Sequence, residues 1–109
     1  MKKIEFSYGI TITLHQNTGN DIETTVGGDN WTFNSATTYL RTHEFKRENF
    51  DNDEKFTKAT IWQLVWIDGL LDHSDRIVTY RVKETKDRYI VDLDDPVTQW
   101  DGDSVPAMG

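Results

Sequence analysis

The sequence has no cysteine, only two prolines and no long apolar run. Without cysteine, disulfide bonds and thiolate metal sites are excluded. The longest nearly apolar stretch, residues 61–67, includes Gln63 and is far too short to cross a bilayer as a helix. Two lysines near the start are not followed by the apolar stretch of a signal peptide. We therefore expect a soluble, cytoplasmic protein without a membrane partner.

Sequence patterns of catalytic and metal sites are also missing. The three histidines, His15, His43 and His73, have no second ligand at the spacing of known metal motifs. His73-Ser74-Asp75 contains the residue types of a catalytic triad, but a triad is assembled by the fold and not by adjacent positions. We interpret this segment as a polar turn.

Two acidic segments resemble calcium-binding loops in composition only. Such a loop needs acidic or polar ligands at positions 1, 3 and 5 and a glutamate at position 12. Counted from Asp51, position 5 is Lys55, and counted from Asp92 it is Pro96, so both segments fail. We expect no metal, no cofactor and no enzyme activity.

Negative charge is concentrated at the C-terminal end. The net charge is −7, and the last 21 residues contain five aspartates but no lysine or arginine. These aspartates are Asp92, Asp94, Asp95, Asp101 and Asp103. Trp100 lies among them, and a large aromatic ring within a charged rim is typical of an interface anchor. The alternative is that Trp100 attaches the tail to the sheet. We interpret residues 96–109 as an acidic surface tail of a single domain that spans residues 1–95.

A second acidic group precedes the centre of the chain and consists of Glu48, Asp51, Asp53 and Glu54. Both groups, with Trp100, are candidate partner-binding residues. Concentrated negative potential attracts a cationic partner and repels nucleic acid and anionic membranes. The expected partner is therefore a cationic protein, such as a nuclease or another nucleic-acid-binding enzyme, and not nucleic acid itself. The oligomeric state stays open.

The start of the chain predicts a long hairpin. Residues 3–14 alternate between apolar and polar side chains, and this period of two indicates a strand with one buried face. Gly9 predicts a bulge or bend in this strand. Residues 16–21 have turn composition, and residues 22–26 resume the alternation. We interpret residues 27–30, which include two glycines, as a break after the hairpin.

One short helix is expected after this hairpin, around residues 35–45. Asn34 or Ser35 can cap it, and apolar side chains follow at helical spacing. A strand through Phe45 is the alternative. Residues 46–58 are almost all polar or charged, which favours a loop, although a continuing helix is compatible with them.

Residues 59–67 are apolar at both alternating sets of positions, which favours a central strand covered on both faces. We therefore expect Trp62 and Trp66 in the core. Trp31, in contrast, lies beside polar residues, which is compatible with an exposed position.

The end of the chain predicts a second hairpin. Residues 78–82 and 89–93 alternate on either side of a polar turn at residues 84–87. Asp95-Pro96 ends the last strand, because proline cannot donate to a strand ladder. The expected fold is α+β, a mostly antiparallel sheet of about five strands with one short helix packed on it.

These features favour a small acidic, non-enzymatic protein that binds and inhibits a basic, nucleic-acid-handling protein. In size and composition the chain is similar to phage-borne anti-restriction and anti-CRISPR inhibitors and to nuclease immunity proteins. That similarity implies a nucleic acid mimic, with carboxylates in place of phosphates, but no sequence motif supports membership in one of these groups.

The alternative is a small virion or assembly subunit that self-associates through strand edges. The long N-terminal strand has no inward charge and no proline to block such pairing. A module that binds a sugar or another small ligand is less favoured.

Overall fold

The computed structural model describes residues 1–97, in which a curled antiparallel sheet packs against one helix. The strands are β1 (Ile4–Gln16), β2 (Asp21–Trp31), β3 (Phe45–Lys46), β4 (Glu54–Ile67), β5 (Leu70–Glu84) and β6 (Arg88–Pro96). The helix is α1 (Phe33–Thr42), and a short 3₁₀ helix spans Arg47–Asn49. The strand order is β2-β1-β4-β5-β6-β3, and the sheet curls into a half-barrel. The α+β class is confirmed, but the described sheet has six strands instead of about five.

The N-terminal hairpin is confirmed, with β1 paired to β2 along most of its length. The register between β1 and β2 shifts opposite Gly9, where the four residues 27–30 of β2 lie between Val26 and Trp31. The irregularity therefore belongs to β2, and β1 stays in register with β4 through Gly9, where a bulge was predicted. The interpretation of residues 27–30 as a break after the hairpin is therefore wrong, since β2 continues through them. β1 is also not an edge strand, because β4 pairs with its other side.

Trp31 is half-buried, and Gly27 explains how it fits. The backbone of Gly27 has a φ of +71°, and a Cβ at this position would lie 2.5 Å from Cζ2 of Trp31. The indole packs 5.1 Å from the Tyr39 ring, measured between centroids, and contacts the core. Only glycine satisfies both the backbone conformation and the close approach.

Helix α1 begins earlier than predicted because Thr32, and neither Asn34 nor Ser35, is its N-cap. The Thr32 hydroxyl accepts from the Ser35 backbone N–H at 3.0 Å, and the Ser35 hydroxyl accepts from the Thr32 N–H at 2.9 Å. This reciprocal capping box satisfies two backbone donors at the start of the helix. The helix predicted at residues 35–45 thus spans Phe33–Thr42.

Residues 46–58, predicted as a loop, contain the 3₁₀ helix and the first part of β4. Phe50 and Phe56 belong to an aromatic cluster. The Phe56 ring lies 4.9 Å from Phe45 and 5.7 Å from Phe50, and Phe50 lies 5.1 Å from Tyr89. With Ala36 and Leu40 of α1 and the inner-face residues of β1 and β4, this cluster forms the core.

A second long hairpin joins β4 to β5 through Asp68-Gly69. Both residues have positive φ, 52° and 82°, as a two-residue turn between twisted strands requires. The interpretation of His73-Ser74-Asp75 as a turn is wrong, because these residues lie within β5. The hairpin of β5 and β6 is confirmed, and β6 ends at Pro96 as predicted.

Candidate interaction surface

Part of the sheet extends beyond the helix and is called the arm here. It consists of residues 4–8 of β1, 63–67 of β4 and 70–75 of β5. The antiparallel register aligns Ile4 with Ile67 and Leu70, and Phe6 with Val65 and His73. Directly opposed residues of antiparallel strands point to the same face of the sheet. These side chains therefore share one face, which we call the inner face because α1 packs on it at the other end of β1.

The inner face of the arm carries several exposed apolar side chains, although Val65 in its middle is buried and Gln63 and His73 are polar. Leu70 is 74% exposed, Phe6 60% and Ile4 55%. Phe33, at the start of α1, is also exposed and contacts Tyr8 at 5.8 Å between ring centroids. We call Ile4, Phe6, Leu70 and Phe33 the apolar patch. Scattered single apolar residues are ordinary on protein surfaces, but a contiguous group on one face marks an interaction site.

His73 borders the apolar patch and is held between two carboxylates. Its Nδ1 lies 2.6 Å from Oδ2 of Asp72, and its Nε2 lies 3.5 Å from Oδ2 of Asp75. The hydrogen bond to Asp72, together with the charges of both aspartates, raises the pKa of His73 above its usual value. Ser74 lines the outer face, so the three residues are not arranged as a catalytic triad.

The outer face of β4 carries the two tryptophans that were expected in the core. Trp62 and Trp66 are half-buried there, and their indole nitrogens donate to Thr11 at 2.8 Å and Ser7 at 2.8 Å. The expectation of a strand covered on both faces is therefore wrong. Apolar residues can occupy both faces of β4 because Thr11 and Ser7 of β1 accept hydrogen bonds from the indoles, and within residues 1–97 no second layer of strands or helices packs on this outer face.

A shallow cavity of about 260 Å³ lies beside these tryptophans. Gly9 forms part of its wall with Trp62 and Leu64, and a Cβ at Gly9 would meet Leu64 at 3.5 Å. The Arg76 guanidinium lies 4.9 Å from the Trp62 ring centroid, which places a cation over the aromatic face.

The aspartates of β6 are paired with cations of β5. Asp92 lies 3.2 Å from Lys83 and also accepts from the Asp94 backbone N–H at 3.1 Å. These two interactions, the backbone one being larger, lower the pKa of Asp92. Asp95 lies 3.1 Å from Arg81. Of this group, Asp94 is exposed and forms no ion pair within residues 1–97.

The second acidic group lies at the other end of the sheet from the arm. Glu54 accepts from the Gln16 side chain at 3.1 Å and from the Asp51 backbone N–H at 3.2 Å, so that its carboxylate organises the local turn. Glu48, Asp51 and Asp53 are exposed. Near this group, the Arg47 backbone N–H donates to the carbonyl of Asp87, the last residue of the turn between β5 and β6.

Glu48 follows Arg47, which bonds to Asp87 before β6, whereas Asp92 and Asp95 lie further along β6. Asp87 precedes Asp92 and Asp95 by five to eight residues, which corresponds to about 15–25 Å of extended strand. The remaining candidates, Trp100, Asp101 and Asp103, lie outside the described residues.

Within residues 1–97, no group of three or more histidine or acidic side chains is arranged to hold a metal ion. His15 lies 2.7 Å from Asp21, and His43 stacks on Tyr39 at 4.7 Å between ring centroids. Among the same residues, no helix has both the length and the apolar character needed to cross a membrane.

Comparisons with protein-family models, with curated proteins and with solved structures find no match to this chain. The arm was not anticipated from the sequence. The available signal was the dipeptide Asp68-Gly69 between two apolar runs, which is typical of a two-residue hairpin turn.

Proposed function

We propose that the protein is a non-enzymatic binding protein that holds a cationic partner protein through the apolar patch of the arm. The observation that carries this proposal is the exposure of Leu70, Phe6 and Ile4 on one face of a regular sheet. Burying large apolar side chains at the centre of an interface supplies most of its affinity, while a few residues dominate the energy.

Charge and apolar contact have separate roles in this proposal. A net charge of −7 attracts a cationic protein over long range and increases its association rate. The apolar patch then slows dissociation by removing its side chains from water. Salt screens the long-range electrostatic attraction but not the apolar contact, so an experiment that varies salt concentration separates the two.

We further propose that the partner is a nucleic-acid-handling protein, since such proteins present large positive surfaces. The exposed Glu48, Asp51 and Asp53 support this class of partner. The ion pairs of Asp92 with Lys83 and of Asp95 with Arg81 reduce the negative potential of β6, so we assign the main contact to the arm. Inhibition of that partner stays a prediction.

The test compares two isoleucines of similar exposure. Ile4, in the patch, is 55% exposed, and Ile90, outside the arm on β6, is 47% exposed. The unmodified protein and the variants Ile4→Asn and Ile90→Asn are each immobilised and incubated with a cell lysate. Retained proteins are identified, and their affinity for each of the three forms is then measured by titration. We expect Ile4→Asn to weaken binding about tenfold or more, as for a central interface residue, and Ile90→Asn to leave it unchanged.

Equal binding by Ile4→Asn and the unmodified protein would show that the arm is not the contact. A partner whose affinity does not fall as salt is raised at low concentrations would contradict its assignment as cationic. Circular dichroism of both variants establishes that the compared proteins are folded.

A further inference from the structure

Two glycines of the described chain are not required by the fold. Within residues 1–97, three glycines have positive φ, whereas Gly9 and Gly28 do not. A Cβ at Gly28 would meet nothing within 4 Å. A Cβ at Gly9 would have the Leu64 side chain as its nearest neighbour, at 3.5–4.0 Å, which is ordinary van der Waals contact. Neither the backbone conformation nor a steric clash therefore demands glycine at these two positions.

Gly9 is the more informative of the two because it lies in the middle of β1. Glycine weakens a strand, since it loses more conformational freedom on folding than other residues and adds no side chain to the packing. It is found inside strands at bulges, and where a ligand or another backbone approaches closely. β1 stays in register with β4 at Gly9, opposite Trp62, and the atoms nearest to the missing Cβ belong to a side chain. The close approach of a ligand is the explanation that fits.

Both glycines line the same cavity, the one of about 260 Å³ on the outer face of the sheet. All of its lining residues belong to β1, β2, β4 and β5, within the described part of the chain. Because directly opposed residues share a face, a side chain at Gly9 would lie beside Trp62 and enter this cavity. The two missing side chains therefore keep the cavity open.

The walls of the cavity favour an apolar ligand. The Trp62 ring forms one wall, and the Thr11 hydroxyl next to it is already engaged. Thr11 accepts from the Trp62 indole N–H at 2.8 Å and donates to Glu23 at 3.2 Å. The exposed Thr25 and Ser74 also line the cavity and supply hydroxyl groups. An apolar protein cavity of about 150 Å³ can hold benzene, so this one has room for an aromatic ring with substituents.

We propose that this cavity binds a small aromatic molecule of the size of phenol or indole. Its ring packs beside Trp62 and Leu64 over the backbone of Gly9, and its polar substituent bonds to the hydroxyl groups of Thr25 or Ser74. Small-ligand sites combine such apolar walls with a few polar groups that orient the ligand. The proposal is independent of the proposed function, because the apolar patch lies on the inner face of the sheet.

The first test asks whether Gly9 serves the fold or the cavity. Gly9→Val should leave the midpoint of urea denaturation unchanged or raise it, because a β-branched residue is favourable in a strand and the position has room for a Cβ. Thr13→Val is the matched control, since it places the same side chain on the same strand and face, outside the cavity. A clearly lower midpoint for Gly9→Val alone would show that the fold requires this glycine, and would refute the argument.

The second test measures binding to the full-length protein by NMR, with ¹⁵N-labelled tryptophan and phenol as the probe. The Trp62 indole N–H signal should shift saturably, and the Trp66 signal, from the same face but outside the cavity, should change little. Trp62→Phe and Trp66→Phe assign the two signals. Gly9→Val should weaken phenol binding about tenfold or more, whereas Thr13→Val should bind as the unmodified protein does.

Glucose is the control ligand, because its six-membered ring is polar and it should not shift the Trp62 signal. A preference for glucose over phenol would overturn the proposed ligand class. No saturable shift of the Trp62 signal up to the solubility of phenol, or equal phenol binding by Gly9→Val and Thr13→Val, would overturn the site.

Discussion

Ile4 and Ile10 belong to the same strand and the same face, yet Ile10 is fully buried while Ile4 is 55% exposed. The helix-covered end of the sheet and the arm both carry apolar side chains on this face, and they differ in what lies above them. Ala36 and Leu40 of α1 cover the first. Within residues 1–97, the second keeps Ile4, Phe6 and Leu70 exposed. A period of two in the sequence therefore identifies a face but does not show that the face is covered.

The largest expected difference between these regions concerns two phenylalanines. Phe56 is 2% exposed within the aromatic cluster, whereas Phe6 is 60% exposed on the arm. Phe56→Ala should lower the free energy of unfolding by about 3–5 kcal/mol, because it removes buried area and leaves a cavity. Phe6→Ala should lower it by less than about 1 kcal/mol. Urea denaturation measures both, and similar losses for the two variants would mean that the arm is covered in solution.

A smaller effect is expected where β2 bulges around Trp31. Gly27→Ala should lower the free energy of unfolding by about 1–3 kcal/mol, since alanine strains at positive φ and its Cβ meets the indole. Gly28 is the matched control, because a Cβ there meets nothing within 4 Å. If Gly28→Ala destabilised the protein as much as Gly27→Ala, the packing of Trp31 on Gly27 would be incorrect.

The smallest effect concerns protonation at the border of the apolar patch. The hydrogen bond to Asp72 raises the pKa of His73, so Asp72→Asn should move this pKa back toward its usual value. A raised pKa favours folding at low pH; the contribution is complete below the ordinary pKa of about 6.5 and disappears as pH rises through the raised value. It is small because the pair is exposed to solvent. NMR titration of the His73 ring measures the change, and an identical titration in Asp72→Asn would exclude the assigned hydrogen bond.

Local sequence patterns were sufficient for the two hairpins that they predicted and for the existence of one helix. The alternation in residues 3–14 and the pair of runs at residues 78–82 and 89–93 each correspond to observed strands. The helix cap was misplaced by two or three residues, since Thr32 is one of several residues in the segment able to cap and the tertiary position of α1 selects among them.

The candidate site was less accessible to prediction. Asp92 and Asp95 were identified from charge alone. A count of charges does not show that Lys83 and Arg81, on the neighbouring strand β5, lie beside these aspartates. Trp62 and Trp66 were assigned to the core because burial was inferred from composition, whereas Thr11 and Ser7 allow them to lie on an open face.

The sequence by itself determined which side chains share a face, where the chain reverses and how much negative charge it carries, because these properties depend on residues close together in the chain. Only the tertiary structure decided which apolar residues are covered and which carboxylates are neutralised. Both depend on contacts between strands and a helix that are distant in sequence, and no local period records those contacts.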